Sequence, residues 1–233
     1  MQGISAHLLN IMVHVVAGIA AMGIGIFILA KEKGSAFHRK AGRIYIYFAL
    51  VVCAPAIVGG AFFRFVPMFA ALTVLASYQL LSGWHVVHTK AMGPNRMDLL
   101  LTVCAAIWGG LLLKAVLAAP PSQSTSDVVV YSSLGALAFL ILYDTLRWFF
   151  PKSWHATLWR YEHIYKLVSS LFAMLSAFAG NVIRFGQPTS QLAPSVIGML
   201  AIAWFFWLNY RGKTTPRIFP QRMRRSDGPT WRN

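Results

Sequence analysis

The sequence predicts an all-α membrane protein, a seven-transmembrane-helix bundle with its N-terminus outside and its C-terminus cytoplasmic. Three observations lead there. Of 233 residues, 57% are hydrophobic and only 12% charged, about half the charged share of a soluble domain. Apolar runs of about twenty residues, the length that crosses a bilayer core, recur seven times along the chain. Lys and Arg gather in alternate connections, the pattern that orients a membrane protein.

The runs lie at about 8–30, 41–63, 66–89, 97–119, 128–150, 160–183 and 192–210. Turn-forming residues separate them: Lys31 to Gly34, Pro67, Gly93-Pro94-Asn95, Pro120-Pro121 with Ser122 to Ser126, Pro151, and Gly186 to Pro188. The tight link at 60–67 makes the second and third helices an antiparallel hairpin. No Lys or Arg precedes the first run, which argues against a cleaved signal peptide and for a retained first helix. Cys53 and Cys104 both fall inside apolar runs and read as small buried side chains.

Orientation follows from the 21 Lys and Arg residues. One set of connections takes 18 of them: Lys31, Lys33, Arg39, Lys40, Arg43, Lys90, Arg96, Arg147, Lys152, Arg160, Lys166 and those from Arg211 onward. The opposite set takes Arg64, Lys114 and Arg184. The net charge of +15 therefore belongs to membrane topology, not to a nucleic-acid surface. Residues 1–210 form the transmembrane domain. The stretch 211–233, with Arg217, Arg222, Arg224 and Arg225 among three prolines, reads as a disordered basic cytoplasmic tail against anionic headgroups.

Polar side chains at membrane depth are the candidates for function. In the first helix, His14, Gly18, Ala21 and Gly25 share one face, a small-residue stripe that admits a neighbouring helix. In the third, Tyr78, Ser82, His85 and Thr89 repeat that spacing and make a polar face. The fifth ends on Tyr143, Asp144 and Arg147, with Arg147 at i+3 as the expected partner of Asp144. In the sixth, His163, Ser170, Ala177 and Asn181 share a face. His38, His85, His163 and Asp144 thus come from four helix ends on the inner side.

The segments VHVVAGIAAMGIG, with His14, and HRKAGRIY, from His38 to Tyr45, resemble a bacterial family of predicted multi-pass membrane proteins of unknown function. Its members read H-x-x-x-G in the first helix and H-R-x-x-G-R-x-Y at the start of the second. Trp159 to Asn181 resembles a later pattern, a His opening a helix that ends in A-F-x-x-N. The resemblance implies the bacterial cytoplasmic (inner) membrane and marks His14, His38, Arg39, Gly42, Arg43, Tyr45 and His163. It implies no activity.

Two functional classes follow, with an accessory subunit as a third. The first is haem binding through His38, His85, His163 and His14, or a transition-metal ion on His38, His85, His163 and Asp144, serving redox or sensing. The second is a proton-coupled small-molecule transporter in which Asp144 and the histidines relay protons, with Tyr78, Ser82, Arg147 and Asn181 as further polar groups. A hydrolase finds no support, since neither G-x-S-x-G nor H-E-x-x-H occurs.

Overall fold

A chain this apolar satisfies its backbone inside a bilayer by winding every span as a helix. The computed structural model describes residues 5–118, 126–183 and 185–212, and among these no strand occurs. Seven helices follow in order: α1 (Ala6–Leu29), α2 (Ala36–Val58), α3 (Pro67–Thr89), α4 (Arg96–Ala118), α5 (Ser126–Leu146), α6 (Lys152–Val182) and α7 (Thr189–Tyr210). Each is long and apolar enough to cross a membrane, so the architecture is that of a multi-pass membrane protein. The tail 213–233, the Pro120-Pro121 connection and Arg184 lie outside the described residues.

Two helices begin earlier than the apolar runs suggest. Ser35 caps α2, its Oγ accepting from the His38 amide at 3.1 Å, so HRKAGRIY forms the first turns of a helix and not a loop. An N-cap hydroxyl satisfies one of the orphan amides that a helix start exposes. Just before it, Gly34 takes a positive φ of 77°. Lys33 turns back to close α1, donating to the Ile28, Leu29 and Lys31 carbonyls at 2.7–3.0 Å. Burial pushes that ammonium down to about 8, while the three carbonyl oxygens favour its charged form. Helix α6 starts at Lys152, eight residues before the apolar run at 160, and adds two polar turns to the span.

The helices differ in burial in a way their composition explains. In α3, 61% of the spanning window is buried, against 22% in α1, α2 and α4. Helix α3 carries Tyr78, Gln79, Ser82 and Thr89, all buried, and α2, α4, α5 and α6 surround it. The more apolar helices α1 and α4 turn leucines and isoleucines outward, where lipid replaces protein contacts. Cys104 is exposed on α4, unlike buried Cys53. Of the predicted stripe of α1, Ala21 and Gly25 are buried, whereas His14 and Gly18 are half-buried and Ala17 completes the buried face; α1 packs on α2 and α6.

The crossing of α3 and α6 sets the position of everything described below. A Cβ added at Gly83 would lie 2.7 Å from Lys166 Cβ, closer than real carbon atoms approach. Only glycine lets the two backbones meet there. The contact brings the polar face of α3 against the first half of α6.

Candidate functional site

Six acidic residues occur in the whole chain, and three of them meet in the interior. Asp98, Asp144 and Glu162 are 4–5% exposed, and Arg147 and Lys166 at most 2%. Burying five charged groups is costly unless each is paired and hydrogen-bonded. Here the pairing is extensive. Lys166 Nζ donates to both Asp144 oxygens, at 2.7 and 2.8 Å. Arg147 divides its guanidinium between Asp98, through Nη2 at 3.0 Å, and Glu162, through Nη1. Tyr78 donates to Asp144 at 2.6 Å and Tyr143 to Glu162 at 2.8 Å.

Each partner reaches the cluster for a local reason. Asp98 belongs to a reciprocal cap at the start of α4: the Asn95 side chain accepts from the Met97 and Asp98 amides, and Asp98 accepts from the Asn95 amide at 2.9 Å. This is a capping box with aspartate at the third position. Asp144 and Arg147 sit at the end of α5, where the chain tightens into a 3-10 turn over Arg147–Phe149. Glu162 and Lys166 are four residues apart on α6 and so share a face. Thr102 adds a hydroxyl 2.9 Å from Tyr78 and 2.8 Å from the Asp98 carbonyl.

The cluster connects outward through one imidazole. His85 Nε2 donates to Asn95 Oδ1 at 3.0 Å and stands 3.5 Å from Asp98 Oδ2. An amide oxygen only accepts, so Nε2 carries a proton, and Nδ1 has no hydrogen bond among the described residues. The His85 side chain is 21% exposed, unlike the five charges behind it. Two open surface depressions border the same start of α4. One, of about 260 Å³, is lined by Leu99, Thr102, Thr145, Trp148 and Phe149. The other, of about 510 Å³, is lined by Asn95, Arg96, Met97 and Leu100.

The residues expected from sequence divide into separate groups. Asp144, Arg147, Tyr78 and His85 all belong to the cluster. Arg147 does lie near Asp144, at 3.6 Å, but the closer partner of Asp144 is Lys166. Ser82 is buried beside them and donates to the Tyr78 carbonyl of its own helix. His38 and His163 are together elsewhere, with ring centroids 6.5 Å apart. His14 donates to the Val52 carbonyl at 2.9 Å and fastens α1 to α2. Asn181 is exposed and bonds back to Ala177 of its own helix.

The expected single metal site on His38, His85, His163 and Asp144 is therefore not assembled. Among the described residues, no three His, Cys, Asp or Glu side chains are grouped as metal ligands. The physical reason is that His85 and Asp144 have committed partners: Asn95 and Asp98 for one, Lys166 and Tyr78 for the other.

Sequence reasoning missed Asp98, Glu162 and Lys166. Lys166 reads as a topology charge near a helix end, whereas it is fully buried, as is Arg147. One signal was available. In a chain with so few acids, any Asp or Glu beside an apolar run is a candidate for an internal cation. No protein-family model, no curated protein and no solved structure matches this chain.

Proposed function

We propose that this protein is a proton-coupled membrane transporter of a small molecule, with the buried cluster as its proton-binding site. One observation carries the reading: the cluster's charges do not balance. Three carboxylates face two cations among the described residues. An uncompensated charge in a low-dielectric interior is expensive. One proton, held by His85 or within the cluster, restores neutrality.

His85 is the group placed to deliver it. An imidazole moves a proton by accepting at one nitrogen and releasing from the other. Its free Nδ1 accepts from the basic end of the bundle, and its Nε2 faces Asn95 and Asp98. Arg147 stays protonated and couples the charge of Asp98 to that of Asp144 and Glu162 electrostatically. Substrate would bind beside these groups, at the open depressions next to Asn95 and Thr102.

The same reading sets the orientation. Counted along the sequence without buried Arg147 and Lys166, Lys and Arg still favour one set of connections, which supports that side as cytoplasmic and the N-terminus as external. Anionic headgroups of a bacterial cytoplasmic membrane are its surface partners.

The test is flux. In proteoliposomes containing a pH-sensitive dye, the wild-type chain is expected to couple a pH change to uptake of at least one solute from a panel of small molecules. Asp98→Asn and His85→Gln are expected to abolish the coupling. Absence of any pH-linked flux from folded, inserted wild-type protein overturns the reading.

A further inference from the structure

A second polar site lies outside the charge cluster, between α2 and α6. These helices run parallel, and two side-chain rungs bridge them. Tyr45 and Ser170 form one rung, their hydroxyls 3.2 Å apart. Seven residues earlier on both helices, His38 and His163 form the other. Seven residues are two helical turns, so the register is kept. The first rung closes with a direct hydrogen bond. The second stays open, with ring centroids 6.5 Å apart and the rings nearly perpendicular at 80°.

The histidine rung has what a ligand pair needs. His163 Nδ1 donates to the Gly83 carbonyl at 3.1 Å, which fixes the tautomer and leaves Nε2 with a free lone pair. Such a backbone bond is the usual way a ligating imidazole is oriented. His38 Nδ1 is buried and finds no partner among the described residues. A buried polar atom left unsatisfied requires an explanation. One turn on from His38, a Cβ at Gly42 would meet nothing within 4 Å, so there is room on that face. Arg39, Lys40 and Arg43 are exposed on the same turns.

We propose that His38 and His163 form a bis-imidazole site for a transition-metal centre. Two metal–nitrogen bonds of about 2.0 Å each, plus the half-width of each ring, fill a span close to the one observed. With two protein ligands, the metal takes its other donors elsewhere or does without them. Haem iron meets the first condition, with four porphyrin nitrogens between two axial histidines. Its carboxylates would find Arg39, Lys40 and Arg43 at the helix start. A bare soft ion such as Cu(I), content with few ligands, meets the second.

The purified full-length chain in detergent is titrated separately with ferric haem and with Cu(I). One probe is expected to bind at one equivalent per chain. The haem arm gives the absorption spectrum of a six-coordinate low-spin iron. The copper arm gives stoichiometric metal with no porphyrin absorption. His38→Ala is expected to weaken binding tenfold or more, and His163→Gln likewise, whereas His88→Ala leaves it unchanged. His38→Ala removes an imidazole with no hydrogen bond at Nδ1, so circular dichroism and elution volume should match wild type. Failure of both probes to bind folded wild-type protein, or binding that survives His38→Ala, overturns the proposal. Binding is read without any flux measurement, so this site and the transport reading fail independently.

Discussion

Arg147→Met is expected to be the most damaging single substitution in the chain. Its guanidinium holds Asp98 and Glu162 together and lies 3.6 Å from Asp144. Removing it leaves three buried carboxylates to one lysine. Breaking a buried pair from one side typically costs about 3–5 kcal/mol, and here two carboxylates lose their cation at once. Thermal unfolding in detergent, followed by circular dichroism, should show a large drop or no folded protein. Arg147→Lys should recover only part of the loss. A single ammonium lacks the planar fork that lets Nη1 and Nη2 serve Glu162 and Asp98 separately.

Lys166→Met comes second. Lys166 is fully buried and its ammonium bonds both oxygens of Asp144. Without it, Asp144 keeps the Tyr78 hydroxyl and the more distant Arg147. A loss of about 3–5 kcal/mol is expected by the same physics. The double variant Lys166→Met, Asp144→Asn removes both charges and should recover most of that loss, because an amide and a thioether impose no unpaired charge. Measured as a double-mutant cycle, the two changes should be strongly non-additive. Additive losses would mean that the pair contributes nothing as a pair.

These two residues also mark where sequence reasoning stops. The seven spans are legible because length and apolarity are local properties, and each span carries its own signal. The polar face of α3 is legible because helical spacing is local as well. Lys166 is not. A lysine near the end of an apolar run ordinarily extends to the headgroups, and its partner lies 22 residues away on another helix. Arg147 and Asp98 are 49 residues apart. Pairing across helices depends on which faces meet, and that depends on Gly83, whose missing side chain lets α3 and α6 approach. The start of α2 was misplaced for a different reason. Charged residues after Ser35 read as loop in hydropathy, although serine followed by a helix-compatible stretch is a start signal. The histidines were found individually, but the division into a His38–His163 pair and a His85 relay required the packing.

Two chemistries then lie on either side of one helix crossing. Gly83 supplies the carbonyl that orients His163, and its close contact is the Cβ of Lys166, whose ammonium holds Asp144. Both sites depend on the same approach of α3 to α6. In the charge cluster every carboxylate is hydrogen-bonded from more than one side.

Proton uptake by that cluster is open to direct observation by infrared difference spectroscopy of the reconstituted protein between alkaline and acidic pH. The imbalance of three carboxylates against two cations predicts a protonation signal, from a carboxylic acid carbonyl or from the His85 imidazolium, that shifts in heavy water. Asp98→Asn makes the count equal, two against two, and should remove that signal while the fold persists. An unchanged difference spectrum in folded Asp98→Asn would show that the cluster takes up no proton, and would contradict the reading of this site as the seat of coupling.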